Sequence, residues 1–169
     1  MGGGEVGARL AMILALDPGK RTGWALSHGE CGTLDLSQHD DLGGMCDHFE
    51  RWLAGMTVAY RVQRLVIERA FGRSAFTSTL PAELTGIAHM VAHRAGIARS
   101  EMTASAIKKA VTGNGRATKV AVIAGVALDG WQPDTDHAAD ACALLMAWRA
   151  KSVAEAGPKL TMAVPVQPL

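Results

Sequence analysis

The sequence has little of several features that define large classes of protein. Its three cysteines, Cys31, Cys46 and Cys142, lie far apart and form no CxxC pair, which argues against a zinc cluster or a disulfide framework. No apolar run approaches the roughly 18 residues that cross a bilayer. Residues 1–12 also lack the basic start, apolar core and cleavage site of a secretory signal. We therefore expect a cytoplasmic protein without a membrane partner.

Charge and aromatic content are also low, at a net charge of +1 and 5% aromatic residues. The net charge does not indicate a polyanionic partner, but the basic residues are unevenly spread. Between positions 94 and 119 a single acid, Glu101, stands among six basic residues: Arg94, Arg99, Lys108, Lys109, Arg116 and Lys119. Such a run is typical both of a solvated helix face and of a nucleic-acid-binding surface, and the run alone does not separate the two.

The chain of 169 residues fits one domain, which we place at residues 11–152 between a flexible start, 1–10, and a loosely ordered tail, 153–169. Apolar patterning predicts an antiparallel meander of three strands within 12–37, followed by a helix over 41–60. A fourth strand over 64–68, a helix over 81–95, a strand over 97–102 and three helices over 104–111, 117–128 and 136–150 complete the pattern. The sequence therefore predicts an α/β domain with a mixed central sheet.

Two of the predicted strands end on an acid where an apolar residue would serve a core equally well. Asp17 closes the first strand and Glu68 closes the fourth. A third acid, Asp140, lies inside the last helix between Ala139 and Ala141, where lost hydration would cost several kcal/mol without a compensating partner. If the three meet, their mutual repulsion disfavours ionisation, and a shared divalent cation removes that difficulty.

Oxygen ligands of this kind suit Mg²⁺ or Mn²⁺. Two such ions ~4 Å apart form a recurrent arrangement for phosphodiester hydrolysis. His137, three residues before Asp140, projects from the same part of the helix. A structural alternative is that Asp134 or Asp136 only caps this helix. Gly19 and Gly23 are equally compatible with backbone close to a phosphate and with ordinary turns.

Four blocks of the sequence, taken together and in order, resemble the RuvC family of Holliday junction resolvases. They are ILALDPGKRTGWAL, LVIERAF, TASAIKKAVTGNGRATK and DHAADACAL, spread over residues 12–148. The resemblance implies an RNase H-like fold with a mixed five-stranded sheet. It also implies an Mg²⁺-dependent endonuclease of DNA recombination and repair that acts as a homodimer on four-way junctions. The short DPGKRTGW turn is more similar to phage or prophage members, and the blocks identify no helicase partner.

The resemblance also assigns roles to single residues. Asp17, Glu68 and Asp140 match the family's acidic metal ligands, and His137 stands where many members have a fourth acid. His137 is therefore expected to be a ligand that favours Mn²⁺ or a group that accepts a proton from water, with Asp136 as the ligand if the helix starts differently. Phe71 matches an aromatic that stacks on an unpaired base. The matched basic segment, expected to contact phosphates, comprises Lys108, Lys109, Arg116 and Lys119.

Three other functions fit parts of the same pattern. A nuclease of broader specificity would cut branched DNA in general. A binding module would recognise junctions without cutting them if His137 disables a metal site. The stretch DPGKRTGWA also resembles the phosphate loop of actin-like ATPases, although those proteins use two such domains and this chain has room for one.

Overall fold

A computed structural model of the chain describes residues 11–69 and 79–156. Its strands are β1 (Ile13–Asp17), β2 (Arg21–Leu26), β3 (Cys31–Asp35), β4 (Arg64–Glu68) and β5 (Ala98–Met102). Its helices are α1 (Leu42–Ala59), α2 (Leu80–Arg94), α3 (Ala104–Thr112), α4 (Lys119–Leu128) and α5 (Asp136–Ala156). All ten elements lie close to the positions that the apolar patterning predicts.

The five described strands form one mixed sheet in the order β3-β2-β1-β4-β5. β1, β4 and β5 run parallel, whereas β2 pairs antiparallel with both β1 and β3. The predicted meander and the mixed five-stranded sheet are therefore confirmed. The parallel register pairs Leu16 with Ile67, the residues just before Asp17 and Glu68.

The two faces of the sheet are covered by different helices. Ile13, Ala15 and Val66 pack into a core with α3, α4 and α5. Leu14 and Leu16, one position out of phase, pack instead into a second core with α1 and α2. Because successive side chains of a strand point to opposite faces, this alternation fixes the face that each strand residue occupies.

The starts of α1, α3 and α4 are fixed by side chains that accept backbone hydrogen bonds. Asp41 accepts from the amide of Gly44 at 2.8 Å before α1, and Thr103 and Thr118 cap α3 and α4 in the same way. At the other end of the chain, α5 runs to Ala156, six residues past the predicted end at Ala150. Good helix formers and a Lys151–Glu155 pair at 3.6 Å support this extension.

The helical residues 153–156 fall within the stretch that the sequence assigned to a loose tail. In the described part of the chain, none of the helices combines the length and apolarity needed to span a bilayer.

Candidate active site

Asp17 and Glu68 lie at the same edge of the sheet and project to the same face. β1 and β4 are parallel neighbours, so their carboxyl ends meet. Asp17 continues the series of Ile13 and Ala15, and Glu68 lies two residues after Val66, all of which face α5. The alternation of side chains along these two parallel strands is therefore enough to bring both acids under the helix that carries Asp140.

The start of α5 is fixed against the sheet by two contacts. Thr135 caps the helix by accepting from the Ala138 amide at 3.0 Å, and its hydroxyl lies 2.6 Å from that of Thr33 on β3. This cap replaces Asp134 and Asp136, which the structural alternative had proposed. A Cβ on Gly23 would lie 1.9 Å from the His137 carbonyl oxygen, so β2 and α5 approach at a distance that only glycine permits.

The close approach gives Gly23 a packing role. The sequence had left open whether Gly23 lies near a phosphate or in a turn, and the structure places it inside β2 beneath the first turn of α5. Gly19 follows Pro18, where the Thr22 hydroxyl donates to the Gly19 carbonyl at 2.8 Å and so closes the turn between β1 and β2.

The three acids line one cleft of about 240 Å³. Lys108 and Lys119 lie in the same wall, and the apolar lining includes Ile107 and Val122. His137 lines a neighbouring cleft of about 480 Å³ that shares Asp17 and also contains Lys20 and Arg21. The structure thus brings Asp17, Glu68 and Asp140 together and places His137 on the other side of Asp17.

The ionisation of the acids is opposed by burial and by one another. Burial, followed by the charges of Glu68 and Asp140, raises the pKa of Asp17 to about 7, although His137 and Lys119 act in the opposite direction. Burial also raises the pKa of Glu68, with a further contribution from Asp140 that Lys108 and Lys119 offset in part. The cleft therefore holds more negative charge than its own lysines neutralise.

Lys119 neutralises part of this charge. Its Nζ lies 2.8 Å from Asp136 Oδ2 and 3.0 Å from Asp140 Oδ2. The hydrogen bond to Asp136 is the largest cause of the raised pKa of Lys119, and the same bond lowers the pKa of Asp136. Asp136 is exposed and does not belong to the lining of the cleft, so the structure favours Asp140 over Asp136 as the acid of the site.

The donor set fits a divalent cation, although the side chains are not gathered tightly around one. Within residues 11–69 and 79–156, no three histidine, cysteine, aspartate or glutamate side chains are close enough to one another to hold a metal ion. The fit rests on chemistry: three carboxylates with hard oxygen donors line one cleft, where burial, followed by their mutual repulsion, raises the pKa of Asp17. A cation near Asp17 and Asp140 would relieve that repulsion.

The predicted DNA-contacting residues are distributed around this cleft. Lys108 lies in its wall, whereas Lys109 and Arg116 are exposed outside the lining. The chain reaches Arg116 through Gly113, whose φ of +78° ends α3. Phe71 lies in the segment 70–78, outside the described residues.

Sequence reasoning missed a polar network beside Glu68. Arg69 Nε lies 3.0 Å from Glu101 Oε2, and His89 Nε2 lies 3.0 Å from Glu101 Oε1. Arg69 directly follows β4, Glu101 belongs to β5 and His89 belongs to α2, so their separation along the chain hides the network. The only signal was Glu101 itself, the one acid in the basic segment. This network fixes Arg69, together with the bond from the Arg69 amide to the Met102 carbonyl at 2.8 Å.

Comparison with known proteins agrees with this geometry. The sequence profile of the family described as "Crossover junction endodeoxyribonuclease RuvC" matches residues 13–148. The chain is 32% identical over 144 residues to the crossover junction endodeoxyribonuclease RuvC of Xanthobacter autotrophicus, an alignment that covers 78% of this chain and 85% of that protein.

Among solved structures, the Thermus thermophilus RuvC structure superposes with a TM-score of 0.74 at 18% identity, covering 85% of this chain and 96% of that one. T. thermophilus RuvC in complex with Holliday junction substrate gives 0.72 at 19% identity, covering 86% and 96%. These two likenesses confirm the predicted RNase H-like fold.

Proposed function

The chain belongs to the RuvC family of crossover junction endodeoxyribonucleases, and from this premise we propose that it resolves four-way DNA junctions by hydrolysing phosphodiester bonds. We assign the reaction to residues 11–152 and expect products with 5′-phosphate and 3′-hydroxyl ends. The observation that carries the proposal is the convergence of Asp17, Glu68 and Asp140 from three elements on one cleft.

The family is one of metal-dependent nucleases, and we assign Asp17, Glu68 and Asp140 as the ligands of the metal in this chain. Mg²⁺ is the expected ion, with Mn²⁺ as the alternative and two ions in each site. Held by these carboxylates, such ions would lower the pKa of a coordinated water and would stabilise the leaving oxygen. His137, beside Asp17 in the neighbouring cleft, is assigned either as a further ligand that favours Mn²⁺ or as a proton acceptor.

The two lysines of the cleft, Lys108 and Lys119, have different roles in this proposal. Lys108 lies in the wall beside the acids, where its charge suits a phosphate of the bound strand. Lys119 holds Asp140 in an ion pair at 3.0 Å. Any contact of Lys119 with DNA therefore competes with its bonds to Asp136 and Asp140.

We propose that the DNA partner is branched, which the family description as a crossover junction endodeoxyribonuclease supports. We assign Lys108, Lys109 and Arg116 to phosphate contacts, which Lys119 joins where a phosphate displaces its bonds to Asp136 and Asp140, and Phe71 to stacking on a base at the crossover. Resolution needs matched cuts in two strands related by a two-fold axis, so we propose that two copies of the chain act together as a homodimer.

An assay with labelled DNA tests this function. A four-way junction, a flap, a fork and a linear duplex of the same sequence are each incubated with the protein and Mg²⁺ or Mn²⁺. We expect paired nicks in opposite strands of the four-way junction that DNA ligase can reseal. Equal cutting of flaps and forks would instead indicate a branched-DNA nuclease of broader specificity. Binding without nicks in either metal would indicate a junction-binding module.

A further inference from the structure

Helix α4 is apolar around its whole circumference. From Val120 to Leu128 it contains no polar side chain. Its inner side is covered by protein, because Val122 and Val126 are buried in the core shared with α5. Its outer side is open to solvent, because Val120 is 77% exposed and Leu128 is 90% exposed. Helices that are apolar all round are normally buried on all sides.

The exposed residues of α4 form one continuous surface, which we call the outer α4 face. Val120, Ala124 and Leu128 follow one another at four-residue spacing and therefore form a row along the helix, about 12 Å long. Ala121 and Ala127, also exposed, widen this row on its two sides. Continuous apolar surface of this kind marks a binding site, whereas single exposed apolar residues are ordinary.

The position of α5 relative to α4 determines where the chain leaves the described structure. The two helices start together, since Lys119 contacts Asp136 and Asp140. They also reach the same end, because Asp129, which follows α4, and Arg149 of α5 line one cleft. Beyond Arg149, α5 continues for residues 150–156, about 10 Å of helix. The remaining chain therefore begins a short distance from one end of the outer α4 face.

The remaining chain, residues 157–169, has the composition that such a face requires. Leu160, Met162, Val164 and Val166 alternate with smaller residues, so an extended backbone would place them on one side. Lys159 is its single charged side chain, and its three prolines disfavour a helix. Thirteen residues span up to about 43 Å. This reach exceeds what is needed to turn back over 10 Å and lie along the face.

We propose that the C-terminal segment 160–166 docks on the outer α4 face of its own chain. Docking removes Val120 and Leu128 from water together with four apolar side chains of the segment. It also supports the helix whose first residue, Lys119, bridges Asp136 and Asp140. The proposal concerns a surface away from the cleft and does not depend on the nuclease assignment.

Site-specific labelling of the full chain tests the proposal. Leu128→Cys places a thiol on the outer α4 face. Val58→Cys provides a matched control on α1, where Val58 is 78% exposed on the opposite side of the sheet. Reaction with a bulky maleimide is followed peptide by peptide in a mass spectrometer, so that the native cysteines do not interfere. Because a tethered segment has a millimolar effective concentration, we expect L128C to react about tenfold more slowly than V58C.

A second variant distinguishes the tail from other occupants. Replacing Leu160, Met162, Val164 and Val166 by serine should raise the L128C rate to that of V58C and leave V58C unchanged. The protection should also be independent of protein concentration, because it is intramolecular. Equal rates of L128C and V58C in the otherwise unaltered chain would overturn the proposal. So would protection that persists in the serine variant or that grows with concentration, which would indicate a second copy or another partner.

Discussion

Asp17 is a carboxyl group whose ionisation the fold opposes. It lies at the end of a strand whose preceding four residues are buried, and two other acids share its cleft. Lys119 and His137 compensate only in part, because the pKa of Asp17 remains raised to about 7. The metal-free protein is thus destabilised by its own site at neutral pH, as expected for a cluster that functions with a bound cation.

This destabilisation predicts a pH dependence of the free energy of unfolding. The pKa of Asp17 is higher in the folded chain than in the unfolded chain, so protonated Asp17 favours folding at low pH. That stability is lost as the pH rises from about 4 to about 7. In EDTA, wild type should therefore lose on the order of 4 kcal/mol relative to Asp17→Asn over this range.

Urea denaturation at steps of pH measures this difference. Asp40→Asn, a change at an exposed aspartate, should follow wild type throughout. If wild type and Asp17→Asn kept a constant difference from pH 4.5 to 8, the proposed burial and repulsion at Asp17 would be wrong.

Lys119 provides a second prediction at the residue scale. Its ammonium lies 3.0 Å from Asp140 and therefore repels a divalent ion at that carboxylate. Lys119→Gln should bind Mn²⁺ several-fold more tightly in the absence of DNA, as measured by electron paramagnetic resonance of free Mn²⁺. Lys109→Gln, a change at an exposed lysine outside the cleft, should leave the affinity unchanged. Weaker Mn²⁺ binding by Lys119→Gln would contradict this role.

At the scale of elements, the site depends on how α5 lies on the sheet. Gly23 and Thr33, from β2 and β3, contact the helix at His137 and Thr135. Thr135 is the cap of α5 and His137 lies in its first turn, so both contacts are close to Asp140. The acids therefore stay together only while β2 and the start of α5 remain in close contact.

Gly23→Ala tests this dependence. Its new methyl group would meet the His137 backbone, which cannot move aside as a side-chain end can. We expect a loss of about 3 kcal/mol in the free energy of unfolding, together with reduced cleavage of junctions. Gly86→Ala is the matched control, because a Cβ there has nothing within 4 Å and α2 should gain about 0.5–1 kcal/mol. Equal stability of the two variants, in thermal or urea denaturation, would show that β2 and α5 are not in close contact.

The same elements show what can be predicted from the sequence. Asp17 and Glu68 are recognisable because each ends a short apolar run, and the pattern of strands then implies that parallel neighbours end together. Asp140 is recognisable because an acid among alanines needs a partner. The mixed sheet follows from the order of strands and helices. All these signals are local, or follow from the periodicity of one element.

Other features could not be predicted because they depend on contacts between distant parts of the chain. Gly23 and His137 are 114 positions apart, and nothing local shows that their backbones meet. The resemblance assigned Lys119 to phosphate contacts, and nothing local shows that its ammonium also lies between Asp136 and Asp140. The Thr135 cap was missed because two aspartates beside it are equally good caps, and only the contact with Thr33 selects the threonine.

At the scale of the whole molecule, the basic residues of α3 and the following turn define the face that we assign to DNA. The double variant Lys108→Gln, Arg116→Gln should lower the slope of log affinity against log salt by about 1.8, since each lost phosphate contact contributes about 0.9. Fluorescence anisotropy with a labelled junction in EDTA measures the slope without cleavage. Lys151→Gln, near the far end of α5, serves as the control. An unchanged slope in the double variant would assign Lys108 and Arg116 to an ordinary solvated face.

The three acids are assigned to one hydrolytic site, and cleavage of a four-way junction by their amide variants tests this assignment most directly. Asp17→Asn, Glu68→Gln and Asp140→Asn keep side-chain size and remove one charge each. With Mg²⁺ or Mn²⁺, each variant should bind the junction as wild type does and leave it uncut, while Asp40→Asn cuts normally. Substantial cutting by any of the three variants would contradict the proposed active site.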